Sequence, residues 1–383
     1  MKKTEGKASS AALRRARAHD LCVLLKNNAV LLVALAAAGI TCFFVPPDGE
    51  YAGYFDLGTL SCLFCTLLVV GAFKNIRFFT FTADFIVRKF KNLRNVVLAL
   101  VFVTYFGSMI MANDMALITF LPLGYFALEA YKERKVLAFT FVMQNVAANL
   151  GGMLTPFGNP QNLYLYSYYA IPAGEFFAVM APPFVAAFLL IAGVCLFVKK
   201  EPVEVASVQP EKPSSWQTAV YFVLFALSVM IVFRVFPYYC GLAAVAAAMI
   251  FLDYKAFARV DYALLVTFCA FFVFSGNMAR IPAVREFFSA LMAKDPLLFG
   301  VLSCQVISNV PSAVLLSKFT ADYANLLVAV NIGGLGTPIA SLASLITLNA
   351  YRKNAGGAKR YLAIFGIVNV SFLAVLLGVG YLF

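Results

Sequence analysis

Along the chain, apolar runs long enough to cross a bilayer alternate with short charged loops. Residues 1–20 are polar and basic, with Lys2, Lys3, Lys7, Arg14, Arg15 and Arg17, and read as a cytoplasmic tail. The run that follows, about Leu21–Val45, exceeds a signal-peptide core and is expected to persist as the first span. Pro46–Glu50 forms an acidic outer turn, and about Leu57–Phe73 crosses back. Residues 74–95 set Lys74, Arg77, Arg88, Lys89, Lys91 and Arg94 among Phe78, Phe79, Phe81, Phe85, Ile86 and Phe90. That mixture suits an amphipathic helix in the inner interface, or an arm joining a moving part to a fixed one.

The next run, Val96–Leu128, is interrupted at Gly107-Ser108 and at Ala112-Asn113-Asp114 and has basic residues on both flanks. It therefore reads as a re-entrant hairpin with Asn113 and Asp114 at its tip. A broken helix, about Val136–Ile171, and a span, about Phe176–Val198, complete a first half over residues 21–198. Residues 199–215 are the polar linker and residues 216–236 a joining helix. The second half, residues 237–383, repeats the order: two spans, a short arm at 283–295, a hairpin at 296–319 with Ser308-Asn309-Val310-Pro311 at its tip, a broken helix at 325–350, and a last span. Lys and Arg positions orient the second half opposite to the first. The expected class is an all-α polytopic membrane protein built as an inverted repeat, with about nine full spans, two re-entrant hairpins and two broken helices.

The two breaks share a motif. The first reads Asn149-Leu-Gly151-Gly152-Met-Leu-Thr155-Pro156-Phe-Gly158-Asn159-Pro-Gln-Asn162, and the second Asn331-Ile-Gly333-Gly334-Leu-Gly-Thr337-Pro338-Ile-Ala-Ser341. They lie 182 residues apart (331 − 149). In hydrocarbon a freed backbone group finds no partner, so such breaks face protein or a wet cavity. Paired interrupted segments are the sequence mark of a transporter's binding site. A helix restarting in mid-membrane presents roughly half a positive charge and free N–H groups to an anion. The preceding half ends in free carbonyls, which with amide and hydroxyl oxygens suit Na⁺.

Composition sharpens this picture. The chain is 62% hydrophobic and 13% charged, with a mean hydropathy of +0.86, as a polytopic membrane protein requires. The net charge of +12 would suit nucleic acid, but the cations lie beside hydrophobic ends, as the positive-inside rule predicts, so no nucleic-acid partner is expected. Eight cysteines sit mostly in apolar runs, Cys62 and Cys65 among them as small apolar thiols, and the single histidine, His19, lies in the tail. No HExxH or Ser/His cluster and no GxxxxGK[ST] loop is present, which argues against an enzyme and an ATP-driven pump.

The stretch Asn113-Asp114-Met-Ala-Leu … Pro122, the Asn149–Asn162 break, Ser308–Pro311 and Asn331–Pro338 together resemble the ion transporter superfamily. That group holds citrate and divalent-anion symporters, arsenite permeases and a class of sodium/proton antiporters. The resemblance covers nearly the whole chain. It implies two halves whose hairpin tips and helix breaks enclose substrate and coupling cations, and a homodimer whose transport domain moves past a scaffold. The second break lacks the Gly and Asn that relatives often keep, which weakens the second cation site. The tip Ala-Asn-Asp differs from the Ser-Asn-Thr of dicarboxylate symporters and leans towards the branch of arsenite and citrate permeases.

The resulting expectation is a secondary active transporter of an anion, citrate or a related di- or tricarboxylate, coupled to Na⁺ or H⁺, with no other cofactor. Its partners would be a small anionic substrate and membrane lipids, in the inner or plasma membrane. Asn113, Asp114, Asn149, Thr155 and Asn162 would form one half-site, and Ser308, Asn309, Asn331, Thr337 and Ser341 the other. Asn159 and the Gly and Pro residues of both breaks shape them, and Na⁺ is expected near Asn113, Asp114, Asn149 and Thr155. The alternatives are a cation/proton antiporter using Asp114, and an arsenite or inorganic oxyanion permease. Asn277 is expected to make an interhelical hydrogen bond or a cap.

Overall fold

The computed structural model describes residues 29–128, 134–202 and 211–383. The tail 1–20, the start of the first expected span, the basic loop at 129–133 and the middle of the linker (203–210) lie outside the described residues. Among the described residues the regular structure is helical, with no strand. α1 (Ala29–Phe44) leads through a 3-10 turn (Gly49–Tyr54) to α2 (Leu57–Asn75) and the short α3 (Phe78–Val87). α4 (Leu93–Gly107) and α5 (Asn113–Leu128) form a helical hairpin. α6 (Arg134–Gly151) tightens into a 3-10 turn at Gly152–Leu154, stops, and restarts as α7 (Pro160–Tyr168). α8 (Ala173–Leu196), α9 (Ser215–Val232), α10 (Tyr238–Asp253) with a 3-10 turn at Tyr254–Arg259, α11 (Tyr262–Arg280) and α12 (Pro282–Lys294) follow. A second hairpin, α13 (Pro296–Ile307) with α14 (Asn309–Leu316), precedes a second interrupted helix, α15 (Tyr323–Ile332) with α16 (Leu342–Ala355), and then α17 (Lys359–Leu382).

Acidic and amide side chains outside the apolar segments mostly start helices. Asp56, Asn92, Asp261, Asp295 and Asp322 each accept the backbone N–H three residues on, at 2.9–3.1 Å. This satisfies donors that a helix start leaves open. Among the described residues, seven helices are long and apolar enough to cross a membrane: α2, α6, α8, α9, α10, α11 and α17, with α6 and α10 taken together with their 3-10 turns. Two further crossings expected from the sequence are α1, whose first expected residues lie outside the described ones, and α15–α16, each piece of which is shorter than a bilayer core. The stretch 74–95 is not one helix. Arg77 takes a left-handed conformation (φ 54°) before α3, and Asn92 begins a new helix as the cap of α4.

The chain divides into two compact units. One holds α1, the 3-10 turn at Gly49–Tyr54 and α11. Within it Asn277 on α11 donates to Tyr51 Oη (2.8 Å) and Thr41 Oγ1 (3.2 Å), an interhelical bond. Gly276 leaves room for the Tyr54 ring, where a Cβ would sit 2.6 Å from ring carbons. Arg280 clamps Asp48 with two bonds (2.6 and 3.1 Å), which holds the Asp48 carboxyl below its usual range. The other unit, Asp56–Val260 with Pro282–Phe383, holds both hairpins and both interrupted helices. Its core joins the two halves of the sequence. Leu117 and Leu121 of α5 and Phe141, Val142 and Ala148 of α6 pack with Ala343 and Tyr351 of α16 and Tyr361 and Phe365 of α17. Stacked rings at Tyr351–Tyr361 (5.1 Å between centroids) lie in this core.

Candidate functional site

The two hairpins and the two interrupted helices are tied together by the same bonds at corresponding positions. Thr155 Oγ1 donates to the carbonyl of Met109 (2.8 Å), in the turn between α4 and α5. Thr337 Oγ1 donates to the carbonyl of Gln305 (3.2 Å), at the end of α13. The donors differ by 182 in number and the acceptors by 196, the offset that also relates Asn113 to Asn309. Each hairpin's second helix starts with an asparagine that accepts the next N–H: Asp114 N to Asn113 Oδ1 (2.9 Å) and Val310 N to Asn309 Oδ1 (3.0 Å). Gly151 and Gly333 let each interrupted helix approach its hairpin. A Cβ on Gly151 would strike the Tyr105 carbonyl and lie 2.5 Å from Ser108 Oγ, and one on Gly333 would lie 2.9 Å from Cys304 Sγ.

Between these pairs, buried carboxamides cross from one half of the sequence to the other. Asn149 Oδ1, on α6, accepts from Asn113 Nδ2 (3.1 Å) and from Ser341 Oγ (2.8 Å), the residue that caps α16. In return Asn331, on α15, donates to Asn162 Oδ1 of α7 (2.6 Å) and accepts from Asn159 Nδ2 (3.2 Å). Asn145 Nδ2 adds a bond to Ser344 Oγ (3.3 Å). Asn145, Asn149, Asn159, Asn162, Asn331, Ser341 and Ser344 are all at most 2% exposed. The expected half-sites are thus brought together at Asn113, Asn149, Asn159, Asn162, Asn331 and Ser341. Gly334 lies between them, its missing Cβ 3.1 Å from Asn309 Nδ2 and 3.4 Å from Asn149 Oδ1.

The remaining expected residues play other parts. Asp114 starts α5 beside Asn113. Gly158 allows Gly152 and Thr155 to come close, and Pro156 sits buried in the break. Ser308, at a φ of 75°, donates to the Ala340 carbonyl (3.2 Å) and so ties the second hairpin tip to the second break. Thr337 is exposed and Pro338 half-buried, at the rim of that break.

Asn145, Ser344 and Gln305 belong to this arrangement and are missing from the expected half-sites. Gln305 Nε2 donates to the carbonyls of Gly333 and Leu335 (3.0 Å each), and its Oε1 accepts from Thr337 N (2.8 Å). At the first break Asn162 Nδ2 has the same role, facing the carbonyls of Gly152, Met153 and Thr155 at 3.2 Å. Each run of freed helix carbonyls is therefore closed by a primary amide. An amide within an apolar run was the available signal: Asn145, after Gln144, lies one helical turn before Asn149, and Gln305 lies four residues before Asn309.

Chemically, four helix starts (α5, α7, α14 and α16) meet around a network made of amides and hydroxyls, with no Lys or Arg among the bonded side chains named above. Helix starts favour an anion. Among the described residues, Asn145 Oδ1 and Asn159 Oδ1 are buried acceptors without a hydrogen-bond donor, as is Gln161 Oε1 next along α7. Buried carbonyl oxygens in that state can accept from a water or coordinate a hard cation.

Comparison with known proteins agrees with this architecture. A protein of Methanocaldococcus jannaschii described as an uncharacterized transporter is 31% identical over 85% of this chain and 89% of its own length. The inner membrane protein YbiR of Escherichia coli is 29% identical over 83% of this chain and 86% of its own. The YdaH transporter of Alcanivorax borkumensis superposes with a TM-score of 0.51 at 12% identity, covering 91% of this chain and 89% of that one, which speaks for the fold alone. The profile of the citrate transporter family matches residues 21–327, and the chain belongs to that family of integral membrane transporters.

Proposed function

We propose that the protein is a secondary active transporter of a small di- or tricarboxylate of the citrate type, coupled to Na⁺ or H⁺. The observation that carries this reading is the meeting of four helix starts with donor-less carboxamide oxygens in one network that lacks a cationic side chain. An anion there is met by helix dipoles rather than by a fixed cation, so its charge needs a co-bound cation, and the orphan oxygens of Asn145 and Asn159 are suited to hold one. Asp114, at the start of α5, is the carboxylate nearest in sequence to the network and the candidate for coupling. The family description supports the substrate class.

In this reading residues 21–198 and 237–383 are inverted repeats joined by 199–215 and 216–236, each hairpin is re-entrant, and the N-terminal tail is cytoplasmic in the inner or plasma membrane. The active form is a homodimer. A second reading, an oxyanion permease, is favoured by partial matches. A silicon efflux transporter of rice is 32% identical over 32% of this chain, and a low-affinity phosphate transporter of Saccharomyces cerevisiae 37% identical over 26%.

Uptake by proteoliposomes tests both. Labelled citrate, succinate, malate, phosphate and arsenite are offered under an inward Na⁺ gradient, an inward H⁺ gradient or neither, with internal pH recorded. Saturable, gradient-driven uptake of a carboxylate that is lost or uncoupled in Asp114→Asn is the expected result. Uptake of phosphate or arsenite alone would favour the oxyanion reading. Internal pH that follows Na⁺ with no anion accumulating would replace both with a cation/proton antiporter.

A further inference from the structure

A half-open cavity lies towards the other end of α5 from the network. It offers about 330 Å³ between the end of α2, α3, α5 and the 3-10 turn at Tyr254–Arg259, with Arg77 and Arg259 at its exposed rim. Its wall carries Lys74, Arg77 and Arg259 with the hydroxyl-bearing Thr80 and Thr119 beside five apolar residues, and among the described residues includes no Asp or Glu. That volume is at the lower end of small-molecule sites, about 300–1,000 Å³.

The three cations come from two distant parts of the sequence, and the fold brings them together deliberately. Gly71 lets the 3-10 turn approach α2, its missing Cβ 3.0 Å from Arg259 Cβ. Arg259 Nε then donates to Asn75 Oδ1 (3.1 Å), and Asn75 Nδ2 is itself fixed on Asp253 (2.9 Å). The acid thus orients the guanidinium through an amide and stays outside the cavity wall. Arg77 enters the wall from a left-handed backbone (φ 54°), a conformation costly for a side chain of this size and one that clusters where function demands it. Lys74 Nζ lies 3.2 Å from Met115 Sδ, and Met115 follows Asn113 and Asp114 at the start of α5. A helix end explains a basic residue at the end of α2 and Arg259 in the last turn of its 3-10 helix, but not why both open onto one cavity.

We infer that this cavity is an anion site for a carboxylate- or phosphate-bearing ligand, distinct from the amide network and placed along α5 from it. Two guanidinium forks and an ammonium match such oxygens, often two at a time. The site supplies the cationic side chains that the network lacks. Its occupant is either the transported anion, waiting at the basic end of the molecule, or the headgroup of an anionic lipid. The first case rests on the transport reading above; the second does not.

The test is thermal unfolding of the purified full-length protein in neutral detergent. Citrate, inorganic phosphate, short-chain phosphatidylglycerol and short-chain phosphatidylcholine are added at ionic strength matched with KCl. The wild type is compared with Arg77→Asn/Arg259→Gln. Asn tolerates the left-handed backbone at 77 and Gln can still donate to Asn75, so folding is preserved. The expected result is a melting-temperature rise in the wild type and an apparent affinity at least about tenfold weaker in the double variant. Ser341→Ala changes the network, which in the transport reading also takes the anion, so only its response to phosphatidylglycerol should match the wild type. A rise with citrate or phosphate that the double variant loses and Ser341→Ala keeps identifies the transported anion in this cavity, and a rise with phosphatidylglycerol but not phosphatidylcholine identifies a lipid headgroup. A double variant that responds as the wild type does, or a wild type that responds to no probe beyond KCl, overturns the inference. Proteoliposome uptake by the wild type separates the two failures. Intact uptake with no probe response at the cavity faults the cavity alone, whereas absent uptake with a probe response that the double variant loses faults the transport reading alone.

Discussion

Ser341 is the residue at which the two halves of the network can be tested energetically. Its Oγ accepts from Ala343 N (3.2 Å), capping α16, and donates to Asn149 Oδ1 (2.8 Å) on α6. Ser341→Ala removes both bonds. Loss of the cap costs about 1 kcal/mol, and a side-chain hydrogen bond between membrane helices is worth about 0.6 kcal/mol and at most about 1.7. Asn149 Oδ1 keeps its donor from Asn113, so no buried acceptor is orphaned and the larger penalty of about 1–3 kcal/mol does not apply. The expected loss is therefore about 2 kcal/mol. Ser341→Gly separates the parts, because glycine replaces a serine cap at a cost of only a few tenths of a kcal/mol. It should lose about 1 kcal/mol. The assay is equilibrium unfolding in mixed micelles, followed by circular dichroism, with a double-mutant cycle against Asn149→Ala to isolate the crossing bond. A glycine variant no more stable than the alanine variant would refute the capping argument. A coupling energy indistinguishable from zero would refute the bond between halves.

Close packing at the breaks gives two contrasting expectations. Gly151→Ala should destabilise by about 1–3 kcal/mol or more, because its Cβ meets the Tyr105 backbone, which has nowhere to go; a lowered melting temperature and a poor gel-filtration peak check it. Gly334→Ala meets the Asn309 and Asn149 side chains at 3.1 and 3.4 Å and the Asn331 carbonyl at 3.3 Å, none as close as the Tyr105 carbonyl is to Gly151, so it should cost about 1 kcal/mol and change the KM for the transported anion.

Much of this arrangement could be read from local sequence, because its causes are local. Clustered glycines and prolines stop α6 and α15, and Asn113 and Asn309 start helices by accepting the next N–H, so breaks and hairpin turns fall at Gly151–Asn159, Gly333–Ser341, Ser108–Ala112 and Ser308. What the sequence could not disclose is which amide meets which. Asn149 is bonded by Ser341 from 192 residues away, and Asn162 by Asn331 from 169. Thr155 and Thr337 spend their hydroxyl protons on backbone carbonyls, which carry no sequence signal at all. Gln305 escaped notice because it lies inside an apolar run, and only the fold aims its amide at the Gly333 and Leu335 carbonyls. The stretch 74–95 read as one amphipathic helix because its hydrophobicity is continuous, whereas a single left-handed residue and an asparagine cap divide it.

The amide caps on the two carbonyl clusters bear on stoichiometry. At the second break Gln305 is pinned at both ends, by Thr337 N on its oxygen and by two carbonyls on its nitrogen, so a cation there would have to displace a fully bonded amide. Displacement breaks these bonds, none of them fully buried, at about 0.5–1.5 kcal/mol net each. At the first break the carbonyls also have their amide, from Asn162, but the side-chain oxygens of Asn145 and Asn159 stand without donors beside it. Among the network residues, then, the oxygens open to a cation belong to α6 and the start of α7, on the first half alone. If Na⁺ is the coupling ion, its dependence of uptake should show a Hill coefficient of about 1. Asn145→Leu or Asn159→Leu should weaken it, whereas Gln305→Leu should affect stability more than Na⁺ affinity. Sigmoidal Na⁺ dependence that becomes hyperbolic in Gln305→Leu would mean that the second carbonyl cluster does take a cation, and that its glutamine moves aside to admit it.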